Sequence, residues 1–272
     1  MNDKKPDHIA HHPLAYRNEN FLDSDTARPL RILAEYLEPL RRFEEQKVPG
    51  TVVFFGSARL GPNGPLGRYY AEARELARLY TQWSNGLPPG APRFLICSGG
   101  GHGIMEAANR GAADAGGRTI GLNISLPEEQ SANDYITPDL SFEFHYFFMR
   151  KLWFAHLARA VVVFPGGFGT IDEMSEILTL SQTRKLEGRM TIIMYGQEYW
   201  REILNFDALV KHGVIGADDM KLFSFASSPR EALDLLRQGI APELQTAASP
   251  SPYAKTRPSP ADGSYLYQRS GD

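Results

Sequence analysis

Two glycine-rich turns hold the residues best suited to chemistry in this sequence. The first is Ser98-Gly99-Gly100-Gly101-His102-Gly103, between the apolar run RFLIC (93–97) and the helical pattern IMEAANRGAADAG. The second is Pro165-Gly166-Gly167-Phe168-Gly169-Thr170, between AVVVF (160–164) and IDEMSEIL. Glycine lets backbone N–H groups approach a ligand closely, and the start of a helix adds partial positive charge. Together they suit an anion, above all a phosphate. One such turn also serves tight strand–helix packing. Two at equivalent places in one sheet point to a phosphate site drawn from Gly100, Gly101, Gly103, Gly166, Gly167, Gly169 and Thr170.

Charged residues stand close to both turns. Glu173 follows Thr170 by three residues, a spacing that fits a capping box worth about 1 kcal/mol to the helix. The same carboxylate, beside a bound ribose phosphate, would stabilise positive charge developing at an anomeric carbon. Spacing alone leaves both readings open. Arg150 and Lys151 open the segment MRKLWFAHLARA, where positive charge opposes the helix dipole. Residues set against local preference are candidates for function. Arg150 is suited to holding a phosphate or the Glu173 carboxylate, but not to acting as a general acid. Glu106 serves either as a dipole partner of its own helix or as a contact to a ligand hydroxyl. His8, His11 and His12 lack neighbouring Cys or acidic clusters, so no metal site is expected. His102 and His145 read as loop or packing residues, and Cys97 as a small buried hydrophobe.

The kind of phosphate ligand is narrowed by what the turns lack. The first strand is followed by Phe55-Gly56-Ser57-Ala58-Arg59, without GxGxxG spacing, and no acidic residue ends the next strand to hold a ribose. A dinucleotide is therefore disfavoured. Neither glycine turn continues into Gly-Lys-Ser/Thr, which excludes a P-loop. A mononucleotide or sugar phosphate fits better, with no cofactor required.

Chemistry of this kind needs a sheet to carry the turns. TVVFF (51–55), RFLIC, TIGLNI (119–124), AVVVF and MTIIMY (190–195) are apolar without alternation, as in strands buried on both faces. Helical patterns at 66–83 and 171–180 lie between them, and two further helices are expected at 199–211 and 229–239. SFEFHYF (141–147) reads as a strand or an extended approach to the next helix. The fold class is α/β: a Rossmann-like, doubly wound parallel sheet flanked by helices, with right-handed crossovers. An extra N-terminal helix is expected from Asp25 to about Gln46. It would present Leu30, Leu33, Leu37 and Leu40 as its apolar stripe, and Pro39 predicts a kink or early break. Residues 1–24 should be flexible, 25–242 a single nucleotide-binding domain, and 243–272 a disordered Pro/Ser-rich tail.

Composition excludes several classes. The 272 residues carry Lys+Arg 29 and Asp+Glu 32, a net charge of −3, which disfavours binding to nucleic acid through phosphate neutralisation. No apolar run approaches the ~18 residues of a membrane span, and the polar N-terminus does not resemble a secretory signal. One cysteine rules out an internal disulfide framework. A cytoplasmic protein is expected, without a membrane partner.

Taken together, Ser98-Gly-Gly-Gly-His-Gly-Ile-Met-Glu-Ala-Ala-Asn109, Met149-Arg150-Lys151 and Pro165-Gly-Gly-Phe-Gly-Thr-Ile-Asp-Glu173 resemble the LOG family. These are cytokinin riboside 5'-monophosphate phosphoribohydrolases and relatives long labelled lysine decarboxylases. The resemblance covers about Thr51 to Ile215. It implies a Rossmann-like fold, a homodimer or higher oligomer with sites near the subunit interface, and hydrolysis of a nucleoside 5'-monophosphate to base and ribose 5-phosphate. By the same match, Arg150 and Glu173 are catalytic and the turn through Thr170 holds the phosphate. Ser57 and Met149 line the nucleotide pocket by that match, and Lys151 and Glu106 are added as nucleotide-binding candidates from their places beside the catalytic arginine and the first turn. A decarboxylase would need a pyridoxal phosphate lysine, and neither Lys151 nor Lys185 offers a Schiff-base setting.

The chain departs from the plant pattern around the expected base pocket. Gly-Leu-Met-Gly becomes Gly103-Ile104-Met105-Glu106, the first turn is lengthened by ARLGPNGPLG, and 124–148 is longer and aromatic. Cytokinin specificity is therefore not implied, and AMP is the first substrate to expect. The alternatives are a binding protein on the same fold, such as a molybdenum-cofactor carrier, and a nucleotide sensor. Retention of both Arg150 and Glu173 favours the enzyme.

Overall fold

The computed structural model describes residues 12–126, 131–186 and 190–245. A short helix α1 (Glu19–Leu22) and a long helix α2 (Arg28–Glu45) precede the sheet. There follow β1 (Thr51–Phe55), α3 (Gly67–Asn85), β2 (Leu95–Ser98), α4 (Ile104–Asp114), β3 (Thr119–Ile124) and β4 (Ser141–Phe144). The chain continues through α5 (Phe147–Leu157), β5 (Ala158–Val163), α6 (Phe168–Gln182) and β6 (Thr191–Tyr195). It closes with α7 (Gln197–Ile203), α8 (Phe206–Lys211), β7 (Ser224–Ala226) and α9 (Pro229–Gln245).

The strands form one sheet in the order β4-β3-β2-β1-β5-β6-β7. Every neighbouring pair is parallel, as the unalternating apolar runs require. Successive side chains point to opposite faces, so one strand feeds two cores. Val53 and Phe55 enter the layer with Trp153, Phe154 and Met174, whereas Val52 and Phe54 enter the layer with Tyr69, Leu76 and Leu236. The chain winds outward from β1 to β4, then returns to the opposite side of β1 as β5. That reversal opens a crevice at the carboxyl ends of β1 and β5, where open α/β sheets bind ligands.

Several expectations need correction. Pro39 does not end α2, which runs on to Glu45. A proline leaves the carbonyl four residues earlier without its helical donor. Here that carbonyl belongs to Glu35, and the Trp153 indole N–H donates to it at 3.0 Å. The packed face of α2 also differs from the leucine stripe. Leu30, Leu33 and Leu37 are about half exposed, while Phe43 is fully buried and Ile32, Tyr36 and Leu40 pack around it. Both stripes have helical spacing, and only contact with α5 and β4 selects between them.

The helix expected at 199–211 is two. Asn205 accepts from the Ala208 N–H at 2.9 Å and starts α8 afresh. α9 passes Pro242 and reaches Gln245, so the expected boundary at 242 falls inside a helix. Residues 15–22, expected to be loose, form a 3-10 turn and α1. β7 has no counterpart among the strands expected from sequence; three residues are too few for periodicity to register. The 141–147 segment resolves into edge strand β4 and the start of α5. His8, His11 and nearly all of the expected tail lie outside the described residues.

The two stripes of α2 can be told apart by substitution. Phe43→Ala should cost about 3–5 kcal/mol of stability through the cavity it leaves, whereas Leu33→Ala should stay within about 0.5 kcal/mol. Denaturant unfolding of the two variants checks the assignment.

Candidate functional site

Ser57, in the turn after β1, ties the two glycine turns together through its backbone. Its N–H donates to Pro165 O at 3.1 Å, and its carbonyl accepts from Ile104 N at 3.1 Å. Glycine is required where these turns meet. A Cβ on Gly103 would lie 2.4 Å from Ser57 O, and the residue has φ +63°. A Cβ on Gly166 would lie 2.1 Å from Thr170 Oγ1.

The first turn is held from beneath by a buried polar network absent from the sequence expectations. Asn133 donates through its side chain to Gly100 O and Gly101 O, both at 3.0 Å, and to Asn109 Oδ1 at 2.9 Å. Ser98 Oγ donates to Asn109 Oδ1 at 2.7 Å and accepts from Gly100 N at 3.1 Å. Asn123 lies under Gly100 and donates to Phe142 O at 2.9 Å. Asn123, set between Leu122 and Ile124 in an apolar run, was the available signal, since buried amides are rarely left unpaired; Asn133, in Ser131-Ala132-Asn133-Asp134, reads from sequence as a loop residue. With Gly100 O and Gly101 O engaged by Asn133, the turn has a defined conformation.

The second turn is open. Gly167 is the N-cap of α6 and supplies no side-chain cap, and the first helical hydrogen bond runs from Ile171 N to Gly167 O. The N–H groups of Phe168, Gly169 and Thr170 precede that bond, as orphan donors of a helix start do. Gly167, Phe168 and Gly169 are exposed, and Thr170 is buried. This is the arrangement that receives an anion.

Glu173 does not cap this helix. It lies six residues past the N-cap, beyond the position a capping box uses. Its Oε1 accepts instead from Arg150 Nη2 at 2.7 Å, in a pair whose side chains are 12% and 13% exposed. Arg150 also lies near the first turn: a Cβ on Gly99 would stand 3.8 Å from its Nη1. The rings of Phe147 and Phe154 stand at 5.6 and 5.5 Å from its guanidinium carbon.

Burial pushes the Glu173 carboxyl up to about 7, against the opposing pull of Arg150. Asp172 adds to the rise and Lys151 opposes it. Cys97 lies close enough for Glu173 to act on it, but burial dominates and pushes its thiol up, leaving it inert. The site therefore offers a carboxylate that changes charge near neutrality, beside a permanent cation and open amides.

Other expected residues have different surroundings. Lys151 is within 3.0 Å of both Asp172 and Glu176. Burial pulls its ammonium down, but the two carboxylates outweigh it and the net shift is upward. Glu106 accepts from Tyr70 OH at 2.7 Å, and His102 Nδ1 stands 3.4 Å away. Met149 is buried in the core layer of α5. The structure thus brings Ser57, Arg150, Glu173 and both glycine turns together, and gives Lys151, Glu106 and Met149 protein partners.

Comparison with known proteins bears out the resemblance to the LOG family. The family described as "Possible lysine decarboxylase" matches residues 105–236. The "Probable cytokinin riboside 5'-monophosphate phosphoribohydrolase LOG4" of Oryza sativa subsp. japonica is 29% identical over 54% of this chain and 64% of its own length. The cytokinin riboside 5'-monophosphate phosphoribohydrolase of Rhodococcoides fascians is 28% identical over 44% of this chain and 59% of its own. The chain thus spans less than two thirds of either relative. The X-ray structure of TM1055, a structural-genomics target, superposes with a TM-score of 0.50 at 21% identity, covering 70% of this chain and 99% of that one. It shares the α/β fold. Among the described residues no helix is long and apolar enough to cross a membrane.

The raised Glu173 carboxyl has a consequence for stability. A carboxyl that binds its proton more tightly in the folded state makes stability fall as pH rises from its ordinary value, 4.5, to about 7, and level off above. Glu173→Gln mimics the protonated form, so its melting temperature should match wild type near pH 4.5 and exceed it increasingly up to about pH 7. Thermal melts across that range check the sign. Gly103→Ala, which meets Ser57 O, should lose more stability than Gly116→Ala, where only the strain of positive φ, about 1–2 kcal/mol, applies.

Proposed function

We propose that this LOG-like chain is a phosphoribohydrolase that cleaves the N-glycosidic bond of a nucleoside 5'-monophosphate, with AMP the first substrate to test. The observation that carries the reading is the Arg150–Glu173 pair, buried next to the uncapped start of α6. A nucleotide whose 5'-phosphate rests on the amides of Phe168, Gly169 and Thr170 would have its ribose close to Glu173.

The reaction consumes one water. The bond between C1' and the base nitrogen breaks with its electron pair leaving on the base, and water oxygen bonds to C1'. The base takes up a proton, and the products are free base and ribose 5-phosphate. Positive charge grows on the ribose ring before water arrives. Ionised Glu173 stabilises that charge or aligns the water, at a site where few solvent dipoles compete. Arg150 holds the carboxylate in place and counters the cost of its burial. Phosphate binding far from the breaking bond positions the ribose.

The alternative suggested by the "Possible lysine decarboxylase" description finds no support in Lys151. Its ammonium is held protonated between Asp172 and Glu176, which opposes Schiff-base formation. The same proposal includes an assembly of at least two copies of the chain.

Ribose 5-phosphate release from a panel of nucleoside monophosphates tests the proposal. Wild type should release it, and a stably folded Glu173→Gln should lose on the order of 100-fold or more in kcat/KM. Because the ionised carboxylate is the working form, kcat/KM should rise with pH through about 7. Saturable nucleotide binding with no release from any member of the panel would overturn the enzyme and leave a carrier or sensor.

A further inference from the structure

α2 lies outside the sheet, yet it touches the segment that carries Arg150 at several points. Glu35 makes three of these contacts. Its carboxylate accepts from His145 N at 2.8 Å and from Tyr146 N at 3.2 Å, and its own carbonyl accepts from the Trp153 indole at 3.0 Å. Tyr146 is the N-cap of α5 and supplies no side-chain cap of its own. Glu35 therefore pairs the N–H of the N-cap residue and of the residue before it, as the N3 carboxylate of a capping box pairs the N-cap N–H, and it does so from another helix, placing negative charge where the α5 dipole is positive. The carbonyl contact depends on Pro39, which leaves Glu35 O free for Trp153.

Aromatic packing continues the contact along α2. Tyr36 stacks on Trp153 with ring centroids 5.5 Å apart, and Phe43 packs on both Trp153 and Phe142. Arg42 donates to Asp139 O and Ser141 O, each at 3.0 Å, at the entry to β4. Arg150 follows Tyr146 by four residues, one helical turn, and its N–H donates to Tyr146 O at 3.2 Å. Clamping the Tyr146 and His145 amides thus sets the rotation and axial position of the first turn of α5. Glu173 lies on a separate helix, so the length and direction of the Arg150–Glu173 hydrogen bond depend on where α5 sits.

We infer that Glu35 is a positioning residue for the candidate active site, capping α5 in trans so that Arg150 meets Glu173. The inference rests on the hydrolase reading for its kinetic consequences but not for its geometry. Through Glu35, the helix that precedes the sheet completes the scaffold of the ion pair.

The test compares wild type with Glu35→Ala, Glu35→Gln and Glu45→Ala, the last altering only an exposed pair with Arg41 on the same helix. Two readouts are taken: kcat and KM for AMP, and the titration midpoint of the Glu173 carboxyl by carbon NMR, assigned from its absence in Glu173→Gln. Glu35→Ala should lower kcat about ten-fold or more with KM within about two-fold, because the phosphate site is untouched. It should also move the Glu173 midpoint upward, since Arg150 no longer holds the charged form. Glu35→Gln keeps one acceptor of the same reach and should recover part of both effects, and Glu45→Ala should match wild type. A lower melting temperature in Glu35→Ala with unchanged kcat and Glu173 midpoint would make Glu35 structural only and overturn the inference. If Glu35→Ala does not fold, Glu35→Gln decides by the same readouts. If wild type releases no ribose 5-phosphate, the hydrolase reading fails and the Glu173 midpoint alone decides the positioning role.

Discussion

The Arg150–Glu173 pair is the constraint around which the rest of the site is arranged. Taking two charges out of water costs several kcal/mol per ion, and their attraction offsets this only when geometry is close to ideal. At 2.7 Å, with both side chains almost buried, the pair depends on two helices being held accurately. The upward shift of Glu173 shows that the balance is not fully met by Arg150. A structural ion pair would gain by avoiding such a residue; a site needing a carboxylate that ionises near neutrality gains from keeping it.

Both partners are anchored by backbone contacts made elsewhere. Glu173 rides on α6, whose start is fixed by the β5 turn and its hydrogen bond to Ser57. Arg150 rides on α5, whose start is fixed by Glu35 and by the aromatic layer of Tyr36, Phe43 and Trp153. The sheet supplies rigidity between them, because β1 pairs directly with β5 and carries Ser57 at its end. Lys151, with Asp172 and Glu176, adds a second contact between α5 and α6 one residue further along.

The two glycine turns divide the remaining work. The first has carbonyls held by Asn133, with Asn109 and Asn123 beneath it, and a network of amides and hydroxyls of this kind gives a loop one conformation. The second leaves the α6 amides open. A preformed loop beside an open helix start suits an anion that must be bound without reorganisation, since ordering the loop at binding would subtract from affinity.

Much of this is legible without coordinates. Five of the strands and the α/β class follow from apolar runs without alternation, because a strand buried on both faces has no polar side to show. The glycine turns and Arg150 stand out because each breaks a local preference, glycine where side chains pack and a cation at a helix start, and Glu173 stands out because it follows the second turn by three residues. Tertiary structure alone decided three matters. Glu173 fits a capping box in spacing, and only the true start of α6 at Phe168 shows that it pairs with Arg150 instead. α2 carries two apolar stripes of helical period, and only docking against α5 and β4 selects Tyr36 and Phe43 over Leu33 and Leu37. By local pattern Glu35 is a surface charge and Pro39 a helix breaker; their joint role needs amides and an indole 110 to 118 residues away in sequence. Local sequence carries periodicity and propensity, but the partner of a charge or of a freed carbonyl is set by which distant segments the fold brings together.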